Sequence, residues 1–260
     1  MDLTGKTVLV TGGTRGIGLA TGLAFGTRQA RTVLTHRWGS ADEDAIRARF
    51  SDAGAPEPLI VEADVAQAGD TEDLMAALAE TMAGVDVFVS NAAFAPPVAG
   101  FDAYVKRDFL RSIEYTTWPM VAYTQAIKAT FGAYPRYVVG LSSPGHLRYL
   151  EGYDAVAMAK SMLETMTAYL ARHLGPEGVN VNTVRAGFVD TDALAAVIGD
   201  ETVAALRRTA PERIVPVEEV ANAVLALCSG LLDGVNGAVL PVDRGTVFSE
   251  SMIGALRAAP

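Results

Sequence analysis

Short apolar runs alternate with longer stretches of helical period along the chain. Residues 6–11 read Lys-Thr-Val-Leu-Val-Thr, a β-branched run suited to a strand buried on both faces. Helical spacing follows over about 16–28. Residues 31–36 and 59–62 predict the second and third strands, with helices near 42–53 and 71–83. Residues 85–90 (Val-Asp-Val-Phe-Val-Ser) are the fourth strand, and a long helical stretch lies within 101–131. Residues 136–141 predict the fifth strand, a helix spans about 152–174, and 179–184 and 238–242 complete the set. Strands alternating with helices call for right-handed βαβ crossovers and a sheet covered on both faces. The expected fold is α/β, one doubly wound Rossmann domain over residues 1–260. Its seven-stranded, mostly parallel sheet runs in the order 3-2-1-4-5-6-7.

Composition narrows the function classes. Half of the 260 residues are hydrophobic and 20% are charged, enough apolar material for a large core. The net charge is −9. Nucleic acid and anionic membrane surfaces are attracted to a basic face, so neither is an expected partner. Cys228 is the one cysteine and cannot form an intrachain disulfide. His36, His146 and His173 are too scattered for a metal cluster, so no metal is expected. No apolar run reaches the roughly 18 residues of a membrane span, and the N-terminal residues carry no signal pattern. A cytoplasmic protein is expected.

Residues 11–18 read Thr-Gly-Gly-Thr-Arg-Gly-Ile-Gly, with Gly12, Gly16 and Gly18 spaced G-x-x-x-G-x-G between the first strand and first helix. Glycines there let the backbone turn tightly and approach a pyrophosphate, which the free N–H groups of the helix end attract. An acidic residue ending the second strand would bind a ribose 2′-hydroxyl and select NAD. This chain has Thr35-His36-Arg37 instead, with a second arginine, Arg15, inside the glycine turn. Two guanidinium groups suit a 2′-phosphate, so NADPH/NADP+ is the expected cofactor. Asp64-Val65 and Asn91-Ala92-Ala93 follow the third and fourth strands, at the strand ends where open α/β sheets bind ligands.

These segments, with Leu141-Ser142-Ser143, the helix containing Lys160, Val181-Asn182-Thr183 and Val242-Asp243-Arg244-Gly245, resemble the short-chain dehydrogenase/reductase superfamily over nearly the whole chain. The usual Tyr-x-x-x-Lys signature is altered. Val156 stands four residues before Lys160, and Tyr153 stands seven before it. Seven residues are nearly two helical turns, which would leave Tyr153 and Lys160 on one face. The Tyr-x6-Lys spacing resembles the enoyl-acyl-carrier-protein reductase branch. Residues 147–153 and Asp190-Thr191-Asp192-Ala193-Leu194 resemble its serine-retaining form, often called enoyl reductase III.

The resemblance implies Tyr153, Lys160 and Ser143 as catalytic residues. It implies Gly12, Thr14, Arg15, Gly16, Ile17, Gly18, Arg37, Asp64, Val65, Asn91, Ala92, Ala93, Lys160, Gly187, Val189 and Thr191 around the cofactor. It implies Tyr153 as donor to a thioester enolate oxygen, and Lys160 as the group that holds the nicotinamide ribose and lowers the tyrosine pKa. Many relatives complete a proton relay with an asparagine on the long helix; here that stretch reads Ile-Glu-Tyr-Thr-Thr-Trp over 113–118.

Residues 187–215 are expected to cover an acyl thioester substrate, with Ala193, Leu194, Val197 and Ile198 as the apolar face. Arg207, Arg208 and Arg213 are candidates for contact with a phosphopantetheine phosphate or an acidic acyl carrier protein. Met158, Met162, Leu163 and Met166 are candidate interface positions of a homotetramer or homodimer. Two further readings stay open: an atypical ketoreductase acting on a polyketide or other small ketone, and a non-catalytic NADP-binding sensor or scaffold.

Overall fold

The computed structural model describes residues 1–37 and 39–248. Trp38, just past the second strand, and 249–260, the end of the predicted domain, lie outside the described residues. The principal strands are β1 (Thr7–Val10), β2 (Arg31–His36), β3 (Leu59–Glu62), β4 (Val87–Ser90), β5 (Tyr137–Ser142) and β6 (Asn180–Ala186). Short β7 (Phe188–Val189) and β8 (Ile214–Val215) precede β9 (Val239–Val242). The helices are α1 (Gly16–Gly26), α2 (Glu43–Asp52), α3 (Ala68–Thr81), α4 (Lys106–Thr116), α5 (Trp118–Phe131), α6 (Asp154–Leu174), α7 (Asp192–Ile198), α8 (Asp200–Thr209) and α9 (Val217–Leu227).

Seven strands form one parallel sheet, ordered β3-β2-β1-β4-β5-β6-β9. The expected order holds, with 239–242 as the seventh member. The sheet is wholly parallel. β7 and β8 form a separate parallel pair that sequence reading missed, because two-residue strands have no periodicity to detect.

Strand alternation sends side chains to two cores. Val8, Val10, Val89, Val139 and Val184 meet Phe25 of α1, Phe50 of α2 and Val220 and Val224 of α9. Leu9, Val33, Phe88, Val138 and Val181 meet Leu78 of α3, Tyr123 and Ile127 of α5 and Leu163 of α6. Fully burying one such side chain contributes about 1.5–3 kcal/mol.

Three local expectations are corrected. The helical stretch within 101–131 is two helices, because the chain breaks at Thr117 and restarts with Pro119, which fits the first turn where its missing N–H costs nothing. Helix α6 starts at Asp154, after Gly152 turns through φ +75° and its carbonyl accepts the Val98 N–H. Tyr153 is therefore the residue that caps α6, outside its helical face. Leu163 is fully buried in the core and cannot be an interface residue, whereas Met158 and Met162 are exposed and Met166 is half-buried. Among the described residues, no helix is long and apolar enough to cross a membrane.

Candidate active site

The C-terminal ends of β1, β4, β5 and β6 lie together, and the site is built from the segments that follow them. After β1, Gly12 and Gly16 take φ of +60° and +51°, which side chains disfavour. At Gly18 a methyl group would sit 2.2 Å from the Gly12 carbonyl oxygen. This turn can exist only with glycine there. Arg15 caps α1 without a side-chain bond, and the first turn has no acidic residue. The opening N–H groups of α1 thus face an anion-accepting end. Thr14 is buried in the turn, and Ile17 packs on the core below it.

The segment after β4 clamps this turn. The Asn91 side-chain amide donates to the carbonyls of Thr11 and Gly12, both at 2.9 Å. Thr11 Oγ1 accepts the backbone N–H groups of Asn91 and Ala92 at 3.1 and 3.3 Å. Asn91 therefore shapes the glycine loop, and Thr11 is a positioning residue that sequence reasoning passed over. Ala93 is exposed beyond it.

The segments after β2 and β3 meet over Tyr115 of α4. The Tyr115 hydroxyl donates to the buried Asp64 carboxylate at 2.8 Å, and Asp64 also accepts the Ala66 N–H at 3.0 Å. The Arg37 guanidinium stacks over the Tyr115 ring, 4.8 Å from its centroid, and lies 3.9 Å from Asp64. Val65 is buried in the core. Nothing in the sequence tied Tyr115 to Asp64, since the contact joins elements 51 residues apart.

After β5, Ser143 Oγ and Tyr153 Oη are 2.9 Å apart. Pro144–His146 form a 3₁₀ turn between them. A methyl on Gly145 would lie 2.4 and 2.6 Å from the Tyr153 ring carbons Cδ1 and Cε1. The ring packs against this glycine with no room for a side chain, a requirement unreadable without the ring's position. Burial pushes the Tyr153 phenol above its usual value, and the Ser143 bond only partly opposes this. Lys160 is buried on α6, and its ammonium donates to the Leu141 carbonyl at 2.5 Å. Burial pulls its pKa down to about 8, against the charge of Glu164. The expectation that Lys160 lowers the tyrosine pKa is thus corrected: burial dominates at Tyr153, so its hydroxyl stays protonated at neutral pH.

In the stretch that lacks the asparagine, two threonines bond to backbone groups. Thr116 Oγ1 accepts the Phe94 N–H at 3.3 Å, and Thr117 Oγ1 donates to the carbonyl of Ala159, the residue before Lys160, at 2.7 Å.

After β6, Gly187 packs so closely on Asp243 that a methyl would lie 2.9 Å from its Cα. Val189 is buried in β7, and Thr191 caps α7, accepting the Leu194 N–H at 3.3 Å. A methyl on Gly16 would lie 3.3 Å from Thr191 Cγ2, so segment 187–191 reaches the glycine turn. In α7, Leu194, Val197 and Ile198 are half-buried and Ala193 is exposed. Tyr149 is 84% exposed.

A family model described as enoyl-(acyl carrier protein) reductase matches residues 12–247. The chain belongs to that family, a branch of the short-chain dehydrogenase/reductases. Enoyl-[acyl-carrier-protein] reductase [NADH] FabI of Escherichia coli (strain K12) is 29% identical over 257 residues, covering 94% of each chain. L-xylulose reductase of Homo sapiens is 31% identical over 247 residues, covering 94% of this chain and 97% of its own. A crystal structure of levodione reductase superposes with a TM-score of 0.86 at 22% identity, over 96% of this chain and 100% of that one, which speaks for the fold alone. In this dehydrogenase/reductase, glycine turn, Asp64 segment, Asn91 clamp and Tyr153–Ser143 pair share one edge of the sheet. That edge fits a nicotinamide dinucleotide: the glycine cradle leaves no room for side chains, and α1 presents uncapped N–H groups.

Proposed function

We propose that this chain is an NADPH-dependent reductase of the carbon–carbon double bond of 2-enoyl thioesters, bound to an acyl carrier protein or coenzyme A, in fatty-acid or polyketide synthesis. The observation that carries the reading is the Tyr153–Ser143 pair, with its tyrosine seven residues before Lys160 in a chain of the enoyl reductase family. When bound, a reduced nicotinamide supplies hydride to the β-carbon of the substrate. Negative charge then gathers on the thioester oxygen. The Tyr153 hydroxyl, kept neutral by burial, donates a hydrogen bond to that oxygen, and the enolate takes a solvent proton at its α-carbon to give the saturated thioester. Ser143 orients the hydroxyl. Lys160, fixed by Leu141, would hold the ribose. The α1 N-terminus would take the pyrophosphate, Arg15 with Arg37 the 2′-phosphate, and Gly187, Val189 and Thr191 would line the nicotinamide side.

Arg15 and Arg37 favour NADPH. The FabI relatives bear NADH in their names, but this chain offers no carboxylate at the end of β2 for a 2′-hydroxyl.

On the substrate side, Arg207 is held by Asp190 through two bonds of 3.0 and 2.5 Å, and Arg213 lies 3.7 Å from Glu212. Arg208 has no ion pair among the described residues, which makes it the best carrier contact of the three. The exposed Met158, Met162, Trp118 and Tyr169 on α5 and α6 suit a second copy of the chain, as a homodimer or homotetramer.

The deciding experiment compares a 2-enoyl and a 3-ketoacyl thioester of equal chain length, with NADPH and with NADH. Turnover of the enoyl compound with NADPH is expected. Turnover of the keto compound alone would make the chain a carbonyl reductase, a reading favoured by the Ser143–Tyr153 bond, which can also polarise a ketone. Cofactor binding without turnover of either would make it a sensor or scaffold.

A further inference from the structure

Beside the Ser143–Tyr153 pair lies a charged cluster that the hydride chemistry does not call for. Its centre is Glu164, whose side chain is only 10% exposed. Glu164 Oε1 accepts from Ser142 Oγ at 2.6 Å and from Arg185 Nε at 2.8 Å. Its Oε2 accepts from Arg185 Nη2 at 2.5 Å and lies 3.1 Å from His146 Nε2. Burial raises the carboxyl pKa, but the bonds from Arg185 and Ser142 and the charges of His146 and Arg185 together hold it below its ordinary value. The Glu164 carboxylate is therefore ionised at neutral pH.

The partners come from three segments that carry the site. Ser142 ends β5 and immediately precedes Ser143. His146 closes the turn that presses Gly145 against Tyr153. Arg185 lies on β6, two residues before Gly187. Glu164 follows Lys160 by four residues, one turn along the same face of α6. A buried carboxylate persists only where its partners satisfy it, and two of the partners here, Ser142 and His146, flank the Ser143–Gly145 segment that meets Tyr153.

We propose that Glu164 is a positioning residue of the active site, fastening the Ser142–His146 turn and the end of β6 onto the helix that carries Lys160. The proposal rests on reading Tyr153, Ser143 and Lys160 as a reductase site. Glu164 acts in two ways. Ser142 and His146 bracket Ser143–Gly145, so holding both limits the freedom of the turn that sets the Tyr153 hydroxyl. Its negative charge also opposes the burial that pulls Lys160 down to about 8. The other titratable groups of the neighbourhood bear on Glu164 or on the start of α6: His146 from the turn and Arg185 from β6 face Glu164, Asp243 acts on Arg185, and Tyr153 and Asp154 stand at the helix start, where Asp154 is bonded to Tyr104. Glu164 is the charge among the described residues that acts on Lys160 directly.

Glu164→Gln keeps the size and one acceptor and removes the charge. The Lys160 amine is titrated by NMR in protein labelled with 13C at the lysine Cε, with Lys160→Ala giving the assignment. The steady-state constants for NADPH and a 2-enoyl thioester are measured beside it. In Glu164→Gln, Lys160 is expected to titrate at lower pH, and kcat at pH 8 to fall about tenfold or more, with thioester KM changed less than about twofold. Glu164→Asp, which keeps the charge, is expected to return the titration toward wild type. Unchanged titration together with unchanged kcat overturns the proposal. If Glu164→Gln does not fold, His146→Ala decides: it cuts the tie to the turn and leaves Glu164 beside Lys160. Unchanged Lys160 titration with kcat lowered about tenfold supports the proposal, and wild-type kcat overturns it. The NMR arm needs no turnover. A wild-type protein that reduces neither thioester would sink the reductase reading while the Lys160 titration still decides what Glu164 does.

Discussion

The hydroxyls of Tyr153 and Ser143 sit 2.9 Å apart, with the tyrosine at the cap of α6 and the serine just past the end of β5. The pair joins two elements that packing already fixes, so in the proposed reaction the hydroxyl is oriented before substrate arrives. Tyr153→Phe is expected to lower kcat by about a hundredfold or more, since it removes a bond made mainly in the transition state. NADPH affinity, measured by fluorescence titration, is expected to stay within about twofold. Ser143→Ala is expected to lower kcat less, because the ring stays in place. Full activity in Tyr153→Phe would remove the tyrosine from the mechanism.

Gly145 provides a sharper test of geometry. A Cβ there would lie 2.4–2.6 Å from the Tyr153 ring and 3.3 Å from Ala157. In Gly145→Ala the ring must move off Ser143, because the backbone of the turn is tied on both sides. Overpacking of this kind costs about 1–3 kcal/mol, a modest loss in a thermal melt. The loss in kcat is expected to approach that of Tyr153→Phe, although the hydroxyl is still present. Wild-type turnover in Gly145→Ala would show that the ring's placement is not critical.

Under the proposed NADPH reading, cofactor choice would depend on two arginines at different stages of readiness. Arg37 is already ordered by Tyr115 and Asp64, whereas Arg15 is exposed at the cap of α1. A charge-assisted bond to a phosphate contributes about 1.5–3 kcal/mol. Arg37→Ala is expected to raise KM for NADPH about tenfold or more by that measure, with KM for NADH changed little. Arg15→Ala is expected to act in the same direction. Equal losses with both cofactors would mean that neither arginine reads the 2′-phosphate.

The sheet was legible because strands such as 8–10 and 87–89 are apolar on both faces, a pattern few other structures produce. The glycine turn was legible because its chemistry is local. Tyr153 could be found by counting back from Lys160, but its place before α6, rather than on it, depends on Gly152 and its bridge to Val98. The break at Thr117 was hidden because apolar spacing runs on across it, and Pro119 alone marked the restart. Gly145, Tyr115, Glu164 and Arg185 were not legible at all. Each matters through a partner brought near by tertiary packing, and no spacing rule connects Glu164 on α6 to Arg185 on β6.

Lys160 separates activity from stability on the pH axis. Its amine is buried against Leu141, with a pKa of about 8. If the charged ammonium is the form that holds the ribose, kcat/KM falls as pH rises through about 8, the limb reporting the free enzyme. Tyr153 is pushed above its usual value and is not the source of that limb. The sign for folding is the opposite. The unfolded lysine has its ordinary value of 10.5, so the unfolded chain binds more protons just above pH 8, and this residue's contribution to stability grows as pH rises. The buried Cys228 thiol, also pushed up by burial from an ordinary 9.0, works against this only as the unfolded thiol begins to ionise. Between about pH 8 and 9 the enzyme is therefore expected to lose kcat/KM while its melting temperature holds or rises. Parallel pH series of initial rates and thermal melts test this directly. Activity and melting temperature falling together would attribute the limb to unfolding, and a flat rate profile would show that the charge on Lys160 is not required.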